Sequence, residues 1–399
     1  MSRVPPLQYR WLALRPLLVL GSLLAVLPLP LAQAATPSSP SADVADAGAA
    51  EPRLDCLPQR SGDLVALVRA TPFTSARDLT QPGPQAMVPI TRGSPRWMSG
   101  FNAILAWEND DCPAFAAFAE HMGYDAYELT DARSRSHHWV LSERAGRKNG
   151  VFVLRAPGER DRARPLVISA PHRGLSPDLD GATQLYLATS AVALLQNSAH
   201  PCNLASCGGC MMGDSPLCGA AGCTRASDAA GSVDNLQFAL FAALVATRRD
   251  LRLEYGAQPT SLPASASAPP GCRGLARLSQ GPAPAVASSP TLVIDAIAKS
   301  LQARLGASCV CYGEGATSAT CKLPPRDSIY GRLANEEPLR PFDPCGQSAT
   351  QRSGRYLYVE SRGLPPPSLA AAINQALPLP SATAPAPATP ATPATPASR

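Results

Sequence analysis

The sequence has little excess charge of either sign. Its formal net charge is +5 over 399 residues. The first 35 residues carry three arginines and no acidic residue, so the rest of the chain carries 5 − 3 = +2. Nucleic-acid binding depends on clustered basic charge that neutralises phosphates. The composition therefore excludes nucleic-acid affinity as a default function.

Long apolar runs are lacking beyond the beginning of the chain. Three arginines precede an apolar run over residues 17–31, and small residues follow at 32–35. A basic leader, a short apolar core and small residues at the cleavage point predict a secretory signal peptide over residues 1–35. The run is shorter than the roughly 20 apolar residues of a spanning helix. We therefore expect a secreted or periplasmic protein with no transmembrane segment after signal removal.

Three stretches lack the apolar periodicity of folded elements. Residues 36–53 are rich in Pro, Ser and Ala, which predicts a flexible leader. Residues 259–290 hold several prolines and few large apolar groups, which predicts a low-complexity surface insertion tethered by Cys272. Residues 378–399 become an Ala, Thr and Pro repeat, which predicts a disordered tail. The body between them, residues 54–377, is long enough to bury a full core.

Several short segments in this body are predicted to be strands. The turn Lys148-Asn149-Gly150 predicts a hairpin that joins strands near 138–141 and 151–154. The continuous apolar run over residues 165–170 is typical of a strand that is covered on both faces. Later strands are predicted near residues 308–312 and 355–360.

Helical spacing of apolar residues alternates with these strands. A helix is predicted to end at Gly123, after Phe115, Phe118 and Met122 on one face. Further helices are predicted from apolar spacing at three other places, residues 185–195, 233–244 and 292–305. This alternation predicts an α/β fold with a mostly parallel central sheet flanked by helices.

All twelve cysteines follow the predicted signal peptide. An even number of cysteines in an exported chain predicts disulfides. Five lie in a loop over residues 202–223 that is rich in Gly and Ala, so we expect disulfides to staple this insertion. Cys207 and Cys210 have the spacing of a redox pair. However, a thioredoxin-type motif requires a flanking strand and helix, and a zinc knot requires a second paired-cysteine knuckle, so structural disulfides are favoured.

One segment carries the best candidate for chemistry. His172 and Arg173 stand where the buried strand ends, and Asp178, Asp180 and Thr183 lie at the start of the next helix. Ligands of open α/β sheets bind at the carboxyl ends of strands, and an imidazole with a carboxylate forms two sides of a metal site. Alternatively, Asp180 or Thr183 caps the helix and His172 is an ordinary loop histidine.

The run Ala-Pro-His with a downstream Asp-x-x-Thr resembles the first metal motif of zinc carboxypeptidase-like amidohydrolases, such as poly-gamma-glutamate hydrolases and N-formylglutamate amidohydrolases. The resemblance extends loosely over residues 124–362. It implies zinc held by His172 and Asp180, with Asp178 as an alternative ligand. Residues 355–360 are similar to the terminal strand of this family, which implies that Glu360 is the general base and acid beside a zinc-activated water.

The resemblance also implies a second histidine ligand from a later strand end, yet the sequence has no histidine after His200. Residues 251–256 stand where that ligand is expected. Glu254 could coordinate from this strand end, or His200 could do so from the end of an earlier strand. The alternative for His200 is a loop histidine beside the disulfides. If neither residue substitutes, we expect a non-catalytic binding or structural protein on the same scaffold.

The resemblance implies a peptide or acylated amino-acid substrate, such as a cell-wall fragment. Arg173, Arg355 or Arg362 could hold a substrate carboxylate in a bidentate contact. His137 and His138 are adjacent and predicted to lie in a strand, where neighbours point to opposite faces, so we interpret them as ordinary strand residues. The sequence therefore predicts an exported, zinc-dependent hydrolase of an amide or peptide bond.

Overall fold

The computed structural model describes the greater part of residues 56–380. The described ranges are 56–72, 87–144, 149–171, 180–204, 206–208, 210, 224–248, 253–259, 275–279, 293–306, 310–311, 329–335, 344–345, 355–362 and 364–380. The predicted signal peptide, the flexible leader and nearly all of the predicted tail lie outside them.

A single ten-stranded mixed sheet runs through these ranges in the order β1-β2-β3-β4-β6-β5-β7-β10-β8-β9. Its strands are β1 (Gln59–Gly62), β2 (Tyr124–Asp131), β3 (His137–Glu143), β4 (Val151–Arg155), β5 (Arg164–Ala170), β6 (Ala191–Gln196), β7 (Leu253–Pro259), β8 (Leu275–Ser279), β9 (Val310–Cys311) and β10 (Tyr356–Arg362).

Helices cover both faces of the sheet. They are α1 (Leu64–Ala70), α2 (Pro95–Glu108), α3 (Cys112–Met122), α4 (Pro157–Arg160), α5 (Gly181–Thr189), α6 (Leu236–Thr247), α7 (Val293–Leu305), α8 (Ile329–Asn335) and α9 (Pro366–Ala376). One apolar core lies under α2, α3, α6 and α8, and the other lies under α1, α5, α7 and α9. The prediction of an α/β fold is confirmed.

The parallel part of the sheet is its centre. Strands β6, β5, β7 and β10 are neighbours in this order and run parallel, with Ala170 opposite Gln196 and Ser169 opposite Gly256. Strands β3 and β4 are antiparallel to their neighbours, and β8 is antiparallel to β10. The carboxyl ends of the four central strands therefore meet at one edge of the sheet, called here the carboxyl edge.

Strand β5 shows why the apolar run becomes a central strand. Val167 belongs to the core under α6, whereas Leu166 and Ile168 belong to the opposite core. All three side chains are fully buried. A strand that is covered on both faces has to be apolar at every position, as predicted for residues 165–170.

Local signals explain two chain reversals. Helix α3 ends at Gly123, whose φ of 84° lies in the left-handed region that favours glycine. Strands β3 and β4 form the predicted hairpin, and Gly150 has a φ of +114°. A Cβ atom on Gly150 would lie 2.1 Å from the carbonyl oxygen of Gln196, so this position also requires glycine for a close approach.

The structure corrects two sequence-based expectations. Helix α5 ends at Thr189, and Val192 and Leu195 lie in β6 rather than in one long helix. Their spacing fitted a helix, but a fully buried strand is apolar throughout and shows no period of its own. Residues 275–279, inside the predicted surface insertion, form β8, and Ala276 and Leu278 are fully buried.

The predicted disulfides are present. Cys56 is bonded to Cys112 and Cys210 to Cys345, and Cys202 and Cys207 are also disulfide-bonded. Because Cys210 is paired with Cys345, a redox pair of Cys207 with Cys210 is not formed. Within the described residues, no helix is both long and apolar enough to cross a bilayer.

Candidate functional site

The carboxyl edge collects the segments that the sequence singled out. Strand β5 ends at Ala170 and Pro171 follows it. The next residues, His172 and Arg173, and the alternative ligand Asp178 lie outside the described residues. Strand β10 carries Glu360 near its carboxyl end, where the register pairs it with Gln258 of β7. Glu360 therefore lies at the same edge as the end of β5.

Glu254 does not share this position. It is the second residue of β7 and pairs with Val167 on one side and Tyr356 on the other. At about 3.3 Å per residue, it lies roughly 13 Å along the strand from Gln258. The sequence-based alternative placed Glu254 at a strand end, whereas the structure places it near the beginning of its strand.

Asp180 precedes α5, and its carboxylate faces a cation. The Nε of Arg69 donates to Oδ1 at 3.1 Å, and Nη2 of the same side chain pairs with Oδ2. Asp180 is largely buried, while the Arg69 side chain is 61% exposed. The Asp180 side chain makes no capping bond to α5. Its two carboxylate oxygens thus serve an ion pair with α1.

His200 lies four residues beyond the end of β6 and is buried. Its Nδ1 accepts a hydrogen bond from the backbone N–H of Cys202 at 3.1 Å. A neutral imidazole that accepts at Nδ1 carries its proton on Nε2. A histidine that binds a metal through Nε2 instead donates from Nδ1. This hydrogen bond therefore does not fit His200 as an Nε2 zinc ligand.

Arg355 immediately precedes β10, at the end of this strand opposite to Glu360. Its Nη2 donates to the carbonyl oxygen of Arg248 at 3.3 Å. Glu360 lies five positions further along the strand, and roughly 16 Å separates the two backbone positions at the usual rise. Arg355 is therefore far from the carboxyl edge where substrate is expected, and Arg362 is the arginine of β10 nearest that edge.

Two of the predicted metal donors have other partners in the structure. Asp180 is paired with Arg69, and His200 Nδ1 accepts a hydrogen bond from the Cys202 N–H. No three His, Cys, Asp or Glu side chains form a metal-binding group among the described residues. The remaining ligands predicted from the loop after β5, His172 and Asp178, lie outside the described residues.

The sequence analysis missed a buried polar cluster at the carboxyl edge. It consists of Ser169, Gln196, Asn197, Ser198 and Gln237, each no more than 1% exposed. Gln237, in the first turn of α6, donates from Nε2 to Ser169 Oγ at 2.8 Å, and Asn197 Oδ1 accepts from the Ala199 N–H at 2.6 Å. The sequence signal was three consecutive polar residues, 196–198, after a wholly apolar strand.

Several atoms of this cluster have no hydrogen-bond partner within the described part of the chain. They are Gln196 Oε1, Asn197 Nδ2, Ser198 Oγ and Gln237 Oε1, together with Thr183 Oγ1 of α5. A buried polar atom without a partner costs about 1–3 kcal/mol. Buried polar groups in native proteins are normally paired, so each exception requires an explanation.

A second buried polar group lies at the beginning of β3, around His138. His138 Nδ1 is 2.9 Å from the hydroxyl of Tyr186, and its Nε2 is 2.8 Å from Ser136 Oγ. Ser134 links Ser136 to the buried carboxylate of Asp131. Burial lowers the pKa of His138 to about 3, and the charge of Arg155 adds to this effect. The imidazole is therefore neutral, and such a weak base is unsuited to accept a proton in catalysis.

The neighbouring His137 also lies in β3, and its Nδ1 is 3.0 Å from Glu128 Oε1 of β2. The two adjacent histidines thus have separate partners: His137 contacts the neighbouring strand, and His138 contacts α5. Neither is near the carboxyl edge.

No protein-family model, no curated protein and no solved structure matches this chain. The resemblance to zinc carboxypeptidase-like amidohydrolases therefore rests on its short motifs.

Proposed function

We propose that this chain is an exported hydrolase of an amide or peptide bond whose reaction centre lies at the carboxyl edge. One observation carries the proposal. Strand β5, which His172 follows in the sequence, and strand β10, which carries Glu360, are both parallel neighbours of β7 in the sheet. Residues separated by nearly 190 positions thus reach one edge, as an active site assembled from strand ends requires.

Glu360 is the proposed general base in this site. Its carboxylate takes a proton from the attacking water and passes it to the leaving amine. The described disulfides support an oxidising compartment, where a peptide or an acylated amino acid is an accessible substrate. Arg173 and Arg362 are the proposed partners for a substrate carboxylate.

The test is hydrolysis by Glu360→Gln. This substitution removes the proton acceptor while keeping the shape of the side chain, so turnover of a panel of peptides and N-acyl amino acids is expected to fall at least about 100-fold. The control is Glu120→Gln, because the Glu120 side chain is 75% exposed on α3, which packs against β2, six strands away from β10 in the sheet. Unchanged turnover in Glu360→Gln removes Glu360 from the mechanism.

The zinc proposal has its own measurement, metal content of the purified chain. If His172 and Asp178 bind zinc together with a third donor, the purified chain is expected to contain about one zinc, which is lost in His172→Ala. A zinc-free chain that still hydrolyses the panel would show that the reaction does not use this metal.

A non-catalytic binding or structural protein is the second candidate. It is favoured by the commitment of Asp180 to Arg69 and of His200 to Cys202, because these contacts take up two of the predicted metal donors. This candidate predicts neither bound zinc nor turnover of any member of the panel by the wild-type chain.

A further inference from the structure

Within the described part of the chain, five buried atoms without hydrogen-bond partners lie around the carboxyl ends of β5 and β6. Gln196 is the last residue of β6, and Asn197 and Ser198 follow it. Thr183 is in the first turn of α5, and Gln237 is in the first turn of α6. Each of these side chains is at most 1% exposed. These polar atoms thus lie where a ligand of an α/β sheet is expected.

The atoms lie on the two faces of the sheet. Leu194 belongs to the core under α5 and Leu195 to the core under α6, so strand alternation places Gln196 on the α5 face and Asn197 on the α6 face. On the α6 face, Gln237 is held at the sheet by its bond to Ser169. The N-terminal turns of α5 and α6 therefore flank the ends of β5 and β6.

The chemical types of the atoms restrict the ligand. The Nδ2 of Asn197 is a donor, because its Oδ1 already accepts from Ala199. The Oε1 of Gln237 is an acceptor, because its Nε2 already donates to Ser169. A cation cannot pair with the first atom and an anion cannot pair with the second. The matching group is neutral and both accepts and donates hydrogen bonds. An amide, with its carbonyl oxygen and its N–H, is such a group and is the one that a hydrolase of amide bonds has to recognise.

We infer that the ends of β5 and β6 form a binding site for one neutral amide group of the substrate. Asn197 Nδ2 donates to the carbonyl oxygen of this amide, Gln237 Oε1 accepts from its N–H, and the hydroxyl of Ser198 pairs with either. This inference rests on the proposed function and names the group by which the hydrolase recognises its substrate.

The first test compares two equally buried serines. Ser198→Ala removes a hydroxyl that has no partner among the residues that the structure describes, so we expect the thermal midpoint to rise by roughly 1–4 °C. Ser169→Ala removes a hydroxyl that accepts from Gln237, so we expect the midpoint to fall. A lower midpoint for Ser198→Ala would show that its hydroxyl is already satisfied in the free protein, by an ordered water for example, and would overturn the inference.

The second test measures binding to the Glu360→Gln chain, which keeps the site without hydrolysis. The probes are N-methylpropanamide and methyl propanoate, which have the same heavy-atom chain and differ only in that the amide N–H is replaced by an ester oxygen. We expect the amide to bind at least about tenfold more tightly than the ester, and Ser198→Ala to weaken the amide at least about fivefold. Equal affinities for amide and ester would overturn the inference.

The two proposals fail separately. If the amide is preferred but the wild-type chain hydrolyses nothing in the panel, the proposed reaction is wrong and the binding site stands. If the wild-type chain hydrolyses peptides but shows no preference for the amide probe, the reaction stands and the site inferred here is wrong.

Discussion

Arg69 and Asp180 form a two-pronged ion pair across 111 positions of sequence. The pair joins the last turn of α1 to the residue that precedes α5. Asp180 is thereby fixed at the beginning of this helix. We expect it to anchor α5 to α1 rather than to bind a metal.

Exchanging the two charges tests that expectation. Arg69→Asp and Asp180→Arg alone should each lower the free energy of unfolding by about 1 kcal/mol or more, since each brings like charges together. The double exchange should recover most of the loss. Urea unfolding of the four chains gives the coupling free energy. Arg133→Ala, which breaks a more exposed ion pair with Asp63, is the control and should change stability by less than about 0.5 kcal/mol.

The same variants report on the metal. If Asp180 is an anchor, the double exchange keeps the zinc content of the wild-type chain. A double variant that regains stability but loses zinc would instead make Asp180 a ligand, because arginine cannot take its place at the metal.

Because His138 is buried, we expect the folded protein to lose stability in mild acid. Burial lowers its pKa in the folded state to about 3 from 6.5. Below pH 6.5 the unfolded chain binds a proton at His138 that the folded chain does not bind. The free energy of unfolding is therefore highest above that pH and decreases as the pH falls towards 3. The loss should be on the order of 3 kcal/mol by pH 4. Urea unfolding between pH 7 and pH 4 measures it.

His138→Gln should flatten this dependence, since glutamine does not titrate. His121→Gln, at an exposed position of α3, is the matched control for the substitution itself. Asp131 contributes in a lower range: burial raises its pKa, but hydrogen bonds from Leu64 and Ser134 outweigh burial and leave a net lowering from 3.8. Its contribution is lost only as the pH falls below that value. If the unfolding free energy of His138→Gln depends on pH as strongly as that of the wild-type chain, His138 is not the source of this dependence.

Replacement of the buried Arg164 is expected to have a large effect on the free energy of unfolding. Its Nε donates to the carbonyl oxygen of Leu377 at 2.6 Å, and Nη1 donates to that of Thr189. One buried guanidinium therefore satisfies the C-terminal ends of both α9 and α5. Arg164→Met should lower the free energy of unfolding by about 2–4 kcal/mol. Arg162→Met, at an exposed position in the preceding turn, should have little effect, and a similar loss in both variants would argue against the two carbonyl contacts.

The disulfide between Cys210 and Cys345 is expected to stabilise the folded protein and to have no redox activity. Replacing both cysteines by alanine should lower the free energy of unfolding by roughly 2–4 kcal/mol, measured by urea unfolding without reductant. The chain should show no thiol–disulfide exchange activity in an insulin-reduction assay, because Cys207 and Cys210 are not paired with each other. Exchange activity comparable to that of thioredoxin would contradict this pairing.

Local chemistry made part of this fold predictable. Gly123 ends α3, the turn before Val151 forms a hairpin, and the apolar run 165–170 becomes a central strand. The boundary between α5 and β6 was missed because an unbroken apolar strand also fits helical spacing. Strand β8 was missed because five residues with two buried side chains give little signal among prolines.

The site was less predictable, because its contacts join distant parts of the chain. The sequence offers no local sign that Arg69 takes the carboxylate of Asp180, or that Gln237 reaches Ser169. The position of Glu360 at the carboxyl edge was expected from the family resemblance. The place of Glu254 depended on where β7 begins, which a short strand pattern leaves undefined.

The last strand that the structure describes is not at the border of the sheet. Strand β10 is inserted between β7 and β8, so a nascent or truncated chain that lacks residues 355–362 leaves two strands with unpaired backbone groups inside the sheet. Such a fragment is expected to aggregate through these open edges. The sheet can therefore close only after residues 355–362 have been added, and the proposed general base arrives with them.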